Sequence, residues 1–121
     1  MTIQRRLFGL LAVVLTLGMV ASACGSDDGA DTKAAFIYVG PVGDAGWTYA
    51  HDQGRVAAAA ETGVETAYVE AVPEGTADFG NHARDFIDQG YNVIIGTSFG
   101  YMDDMLALAD EYPDVVFEHV S

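Results

Sequence analysis

Three short motifs in the sequence are typical of enzyme or cofactor sites. The first, Gly40-Pro-Val-Gly43-Asp-Ala-Gly46, is similar to a dinucleotide-binding loop, with Glu70 in the place of the ribose-binding acid. Its first two glycines are three residues apart rather than two, and Asp44 brings a negative charge where a pyrophosphate needs free amides. We therefore expect no NAD, and we expect Asp44 to cap the following helix or to bind a neutral polar ligand.

The second motif, residues 96–100 (GTSFG), has the G-x-S-x-G form of a nucleophile elbow. In a hydrolase Ser98 would be the nucleophile, and His119 is the only histidine downstream of it. A hydrolase sheet would normally add several strands before its histidine. We therefore favour a Gly-rich loop whose serine and backbone groups bind a ligand, and we keep a serine hydrolase as the alternative.

The third motif is the acidic pair Asp103-Asp104 at the start of a predicted helix. Successive helical residues point about 100° apart, so these carboxylates are not placed to share one substrate as an acid–base pair. His51, His82 and His119 lack the spacing of metal ligands, and one cysteine rules out a multi-cysteine site. We expect neither a metal nor a cofactor.

Three aromatic residues, Trp47, Phe99 and Tyr101, fall at or beside the same predicted loops as these motifs. Aromatic faces beside a cleft suit a flat ring held between them, with polar groups reading its edge. The alternative is that two of the three simply pack the end of the sheet.

The hydrophobic pattern predicts strands at 34–40, 64–72, 91–96 and 115–120 and helices at 46–62, 76–89 and 101–112. The order β-α-β-α-β-α-β predicts an α/β fold with a mostly parallel sheet. In such sheets the functional loops follow the carboxyl ends of the strands, which here are 41–47, 71–76 and 97–101.

Three helix faces follow from the same pattern. We expect the second helix to carry one apolar face: Phe79, Ala83, Phe86 and Ile87. We expect the first helix to lie close on the sheet through a face of small residues: Ala50, Gly54, Ala57 and Ala58. We expect the third helix to turn an apolar side inward: Met102, Met105, Leu106 and Ala109.

The amino-terminal part of the chain has the composition of an export signal. Residues 1–23 contain a short basic segment, a 14-residue apolar run (7–20) and small residues directly before Cys24, the only cysteine. This segment resembles a bacterial lipoprotein signal, with Cys24 as the lipidated residue. Residues 24–33 are predicted to be a flexible acidic tether, and 34–121 to be the folded part. A formal net charge of -13 argues against nucleic-acid binding.

Residues 38–54 (YVGPVGDAGWTYAHDQG) resemble the basic membrane protein family, the purine-binding lipoproteins of ABC importers. Segments 68–75 (YVEAVPEG), 97–103 (TSFGYMD) and 112–119 (YPDVVFEH) match further parts of that family. The resemblance implies a type I periplasmic-binding-protein fold in which two lobes close on a ligand, without catalysis. It also implies a purine nucleoside or base as ligand, permease subunits as partners, and a lipid anchor on the outer face of the cell membrane.

Carried over by position, the resemblance implies five ligand-binding residues: Asp44, Trp47, Phe99, Tyr101 and Asp103. Trp47 would stack on the ligand, Phe99 and Tyr101 would form a second aromatic wall, and the two acids would supply polar contacts. A ligand-sensing lipoprotein of the same fold is an alternative. Because two lobes need roughly 300 residues, we expect this chain to be the incomplete N-terminal lobe of a longer protein.

Overall fold

The structure, a computed structural model, describes residues 31–121. Four strands and three helices alternate along this part of the chain, and a short 3-10 turn at Phe99–Tyr101 precedes the third helix. In chain order they are β1 (Lys33–Ile37), α1 (Trp47–Thr62), β2 (Glu65–Val69), α2 (Asp78–Asp88), β3 (Val93–Gly96), α3 (Met102–Glu111) and β4 (Val116–His119). The predicted element order is confirmed. The predicted signal, Cys24 and the first seven residues of the predicted tether lie outside the described residues.

The four strands form one parallel sheet in the order β2-β1-β3-β4. Ile37, the last residue of β1, is in register with Val69 on one side and with Gly96 on the other, and Gly96 is in register with His119. The carboxyl ends of all four strands therefore form a single edge of the sheet. The chain leaves β1 toward β2 and then crosses back to β3, so the direction of winding reverses between β1 and β3. Open α/β sheets bind ligands beside such a reversal.

The hydrophobic core lies between one face of the sheet and the helices α2 and α3. Its buried members are Ala35, Ile37, Val72, Phe79, Ala83, Tyr91, Ile94, Tyr101, Met105 and Leu108. The alternation along β1 explains this placement, because successive strand residues point to opposite faces and only every second one meets the helices. Helix α2 contributes the predicted face, with Phe79 and Ala83 fully buried.

Helix α3 is rotated relative to the prediction. Met105 is buried as expected, but Leu106 is 63% exposed and Met102 is also exposed, while Leu108 is buried instead. The reason is the 3-10 turn before the helix, which buries Tyr101 and thereby sets the inward positions of the following turns. Positions 101, 105 and 108 then follow one another at helical spacing on the inner face.

Helix α1 lies on the opposite face of the sheet, and the prediction of its inner face was wrong. The predicted small residues are exposed: Ala50, Gly54, Ala57 and Ala58. The helix instead meets the sheet through Thr48, which is fully buried, and through Asp52 and Arg55. The Tyr38 hydroxyl donates to Asp52 Oδ1 at 3.3 Å, and the Arg55 guanidinium lies 4.7 Å from the centre of the Tyr68 ring. Polar and cation–π contacts to tyrosines therefore replace the expected small-residue packing.

Candidate functional site

The loops that follow β1 and β2 both contain an alanine with left-handed backbone. Ala45 has φ of 53° and Ala71 has φ of 57°. This conformation costs an L-residue about 1–2 kcal/mol, and it persists only where surrounding contacts fix it. For Ala71 those contacts include its own amide, which donates to the Gly40 carbonyl at 3.2 Å, and the next amide, of Val72, which donates to the Tyr38 carbonyl at 3.0 Å. The loop after β2 is thereby held against the end of β1.

Asp44 caps helix α1 from the loop after β1. Its Oδ1 accepts hydrogen bonds from the amides of Gly46 at 2.8 Å and Tyr49 at 3.0 Å, and its Oδ2 accepts one from the amide of Thr48 at 3.1 Å. These bonds, the Gly46 bond first, lower the pKa of the Asp44 carboxyl, so the residue is ionised at neutral pH. The capping role that the sequence left open is thus present in the structure.

Trp47 connects the loops on the two sides of the reversal point. Its indole Nε1–H donates a hydrogen bond to the Thr97 carbonyl oxygen, 2.8 Å away. The ring of His51, one turn further along α1, meets the indole edge-on with 4.5 Å between ring centres. The Trp47 side chain remains 47% exposed. An aromatic face is therefore fixed in orientation and still open to solvent at the carboxyl edge of β1 and β3.

Phe99 and Tyr101 share one 3-10 turn but have different surroundings. Phe99 is 70% exposed, whereas the Tyr101 ring is fully buried and lies 4.5 Å from the Phe79 ring, centre to centre. The Tyr101 hydroxyl donates to the Val72 carbonyl at 2.5 Å, and burial raises the pKa of this phenol. In this structure Tyr101 anchors the turn that carries Phe99, while Trp47 and Phe99 are the aromatic residues exposed at the edge.

Glu74 and Glu70 are site residues whose roles the sequence did not reveal. The Glu74 carboxylate accepts a short hydrogen bond from the Ser98 hydroxyl and a second, at 2.9 Å, from the Gly100 amide. The Ser98 bond and then the Gly100 bond lower the pKa of Glu74. The sequence indicates Glu70 only as a ribose-binding acid, whereas in the structure its carboxylate accepts a hydrogen bond from the amide of Val42 at 2.6 Å. The one sequence signal for both acids is their position directly after β2, on the loop at the carboxyl edge of the sheet.

The surroundings of Ser98 do not form the nucleophile–base pair of a hydrolase. The Ser98 hydroxyl is bonded to Glu74, and His119 Nε2 lies 3.0 Å from the main-chain oxygen of Ser98 rather than from its hydroxyl. Nucleophilic catalysis needs the base within hydrogen-bond reach of the hydroxyl itself. The serine and the histidine thus fasten the end of β3 to Glu74 and to the end of β4.

Asp103 lies in the first turn of α3, where its side chain is exposed and its charge is favourable at the helix amino end. Within residues 31–121, no group of three metal-binding side chains is brought together. None of the helices in the same range is both long and apolar enough to cross a membrane. The site at the carboxyl edge is thus made of aromatic faces, carboxylates and backbone groups.

A groove of about 880 Å³ lies elsewhere. It runs between the end of α1 and the uncovered face of β1 and β3, toward the amino ends of the strands. Its lining includes Phe36, Ala58, Val93 and Ile95. This groove is an open sheet face, and it contains none of the five predicted ligand-binding residues.

Comparison with known proteins identifies the family. Residues 31–121 match the Bmp family, described as "ABC transporter substrate-binding protein PnrA-like". The chain belongs to this family. The resemblance inferred from the four sequence segments is therefore confirmed.

Two relatives that are similar in sequence to this Bmp chain are named for different ligands. A putative ABC transporter glucose-binding protein of Haloferax volcanii is 42% identical over 100 residues, which are 80% of this chain and 25% of the relative. A purine-binding protein of Brucella abortus is 46% identical over 91 residues, which are 74% of this chain and 26% of the relative. The Bmp chain thus spans about a quarter of the length of these relatives.

A solved structure shares the fold of the Bmp chain. It is an ABC transporter solute-binding protein of Conexibacter woesei, with a TM-score of 0.65 and 21% identity over 71% of this chain and 28% of that one. The predicted periplasmic-binding-protein-like α/β fold is confirmed by this match and by the parallel sheet.

Proposed function

We propose that residues 34–121 form part of the first lobe of an extracytoplasmic substrate-binding protein that captures a purine base or nucleoside for an ABC importer. The observation that carries the proposal is the aromatic edge: Trp47 and Phe99 are exposed on the two loops that flank the reversal point of the sheet. Flat rings stack on such faces, and ligands of open α/β sheets bind at this edge.

The position of Trp47 supports a stacking role. A tryptophan that served only the core would be buried, but this indole keeps about half of its surface exposed while its nitrogen is bound to Thr97. The ring plane is therefore set before any ligand arrives, which reduces the entropy lost on binding. Phe99 supplies the second face, and the turn that carries it is anchored by Tyr101.

Polar contacts to the ligand are assigned to Asp44 and Asp103. Asp44 has two carboxylate oxygens and accepts three amide bonds, so it retains capacity for one donor from a ligand. Asp103 is exposed four residues after Phe99 and can accept a hydrogen bond from an N–H or O–H group. Carboxylates suit the amino group of a purine base or the hydroxyls of a sugar.

The choice of purine over sugar rests on the Brucella relative, whose name states purine binding, together with the two exposed aromatic residues. The Haloferax relative is named for glucose, and sugars also pack on aromatic faces. Glucose is thus the competing ligand that an experiment has to include. For the segment before residue 31, we propose export and lipid attachment at Cys24, and we propose permease subunits as partners of the complete protein.

A chimera tests the ligand proposal. The 91 matched residues of the Brucella protein are replaced by those of this chain, and adenine, adenosine and glucose are titrated by calorimetry. We expect purine binding that Trp47→Ala weakens about tenfold or more, since base–aromatic stacking contributes about 1–3 kcal/mol per base. Tyr49→Ala is the matched control, because Tyr49 is an exposed aromatic of the same helix.

Two results would contradict the proposal. In the first, the folded chimera binds glucose and no purine. In the second, it binds a purine, and the Trp47→Ala and Tyr49→Ala variants bind that purine as tightly as the unsubstituted chimera.

A further inference from the structure

Backbone amides on the loops of the carboxyl edge are already bound by carboxylates of the same chain. Asp44 occupies the amides of residues 46, 48 and 49, Glu70 occupies the amide of Val42, and Glu74 occupies the amide of Gly100. Helix amino ends and Gly-rich loops in this position of an α/β fold are where phosphate groups bind, through amides of this kind. Here carboxylates are in that place at the loop that follows β1, at the amino end of α1 and in the turn after β3, and two of the three carboxylates come from the residues that follow β2.

The basic residues of the described part do not offset these charges. Residues 31–121 contain Lys33, Arg55 and Arg84, and each is bound to a carboxylate elsewhere: Lys33 to Glu65, Arg55 to Asp52 and Arg84 to Glu111. None of these ion pairs involves Asp44, Glu70 or Glu74. The described edge therefore presents carboxylates and aromatic faces without a neighbouring Lys or Arg.

We infer that Asp44 and Glu74 act as an anion filter, which admits neutral purines and excludes their phosphorylated forms. A phosphate group approaching the amino end of α1 would have to displace a tethered carboxylate that makes three hydrogen bonds, and it would be repelled by the negative charge of that carboxylate. A neutral base meets neither cost, because it needs only the aromatic faces and an acceptor. The filter extends the proposed function, since it concerns which ligands that same edge admits.

Inorganic phosphate tests the filter on the chain itself, without any purine. Amide resonances of the isotopically labelled chain are followed by NMR while phosphate is added at constant ionic strength. We expect no site-specific shifts at residues 42–49 in the unsubstituted chain. Asp44→Ala vacates three amides and is expected to bind phosphate about tenfold or more tightly than the unsubstituted chain does, with the largest shifts at residues 46, 48 and 49.

Two further variants distinguish the effect of the Asp44 charge from the effect of its capping hydrogen bonds and from a general change in net charge. Asp44→Asn keeps an acceptor oxygen but removes the charge, so its phosphate response should lie between those of the unsubstituted chain and Asp44→Ala. Asp110→Asn makes the same charge change at an exposed position near the end of α3, and it should behave as the unsubstituted chain. Dispersed amide spectra establish that each variant is folded.

The filter is overturned if the unsubstituted chain binds phosphate at the amino end of α1, or if Asp44→Ala binds it no better than Asp110→Asn. A parallel titration compares the affinities of the chimera for adenosine and for adenosine 5′-monophosphate. We expect the chimera to bind adenosine more tightly, and we expect Glu74→Gln to reduce the difference between the two affinities. Loss of purine binding alone would contradict the proposed function, and the phosphate titration would still decide the filter. Equal binding of both ligands by the unsubstituted chimera would contradict the filter alone.

Discussion

The indole nitrogen of Trp47 donates a hydrogen bond to the main-chain oxygen of Thr97, 50 residues further along the chain. This bond joins the first turn of α1 to the end of β3 across the reversal point of the sheet. It holds together the two loops that carry the exposed aromatic faces. The site at the edge is thus a tertiary arrangement, and no single loop could form it alone.

Replacing the indole tests this bridge. Trp47→Phe removes the N–H donor and leaves the carbonyl of the buried Thr97 without this partner. We expect the free energy of unfolding to fall by about 1 kcal/mol, a typical net value for one hydrogen bond. Urea unfolding followed by circular dichroism measures it, because the variant lacks the only tryptophan. An unchanged midpoint would mean that the bond contributes nothing to stability.

Two glycine-to-alanine changes should act in opposite directions. A Cβ on Gly96 would lie 2.7 Å from Met105 Sδ and 3.0 Å from Phe79 Cε2, so Gly96→Ala is expected to destabilise the fold by about 1–3 kcal/mol. Gly54, in the middle of α1, has no atom within 4 Å of that position, and Gly54→Ala should stabilise by about 0.5–1 kcal/mol. Thermal unfolding of the two variants side by side gives the sign of each effect. Destabilisation of similar size in both would argue against this placement of β3.

The hydrogen bond from the Tyr101 hydroxyl is predicted to contribute to stability in addition to the packing of the ring. Tyr101→Phe keeps the packing against Phe79 but removes the donor to the Val72 carbonyl, which is then left buried without that bond. We expect a loss of about 1–3 kcal/mol in chemical denaturation. Tyr49→Phe removes a hydroxyl from an exposed tyrosine and should stay within about 0.5 kcal/mol of the unsubstituted chain. Equal effects in the two variants would exclude a special role for the Tyr101 bond.

Stability is expected to fall at acidic pH because four carboxyls among residues 31–121 have lowered pKa values in the fold. Hydrogen bonds from Gly46 to Asp44, from Lys33 to Glu65, from Ser98 to Glu74 and from Arg84 to Glu111 are the leading causes. The unfolded chain takes up protons at a higher pH than the folded chain, so stability is present above the ordinary carboxyl pKa of about 4 and is lost as pH falls through the lowered values.

Melting temperatures measured between neutral and acidic pH test this dependence. The curve should descend below about pH 5. Glu74→Gln should make the descent shallower, since one of the four shifted groups is removed, and Gly54→Ala should leave its shape unchanged. A melting temperature that does not change down to pH 3 would show that these hydrogen bonds do not favour the ionised carboxyls.

The order of elements and the site edge could be predicted from the sequence because they depend on local patterns. Short β-branched runs separated by amphipathic stretches predict alternating strands and helices, and Gly-rich loops after strands indicate the functional edge. The inner face of α2 was also predicted, because Phe79 and Ala83 lie at helical spacing within one element.

The inner faces of α1 and α3 could not be predicted, because contacts distant in sequence set them. Helix α1 is oriented by the bond between Tyr38 and Asp52 and by the stacking of Arg55 on Tyr68, which composition does not reveal. Helix α3 is rotated by the burial of Tyr101. Within the site, the hydrogen bond from Ser98 to Glu74 joins residues 24 positions apart, and only the folded sheet brings them together.

The central position of β1 has a consequence for how the chain is made. One neighbour of this strand begins at Glu65, and the other begins at Val93, so both partners are synthesised well after it. Contacts of such long sequence separation form slowly, because the intervening chain must lose its freedom first. A nascent chain therefore cannot give β1 both of its neighbours until residue 96 has emerged from the ribosome, and the four-stranded sheet is not complete until His119 has followed.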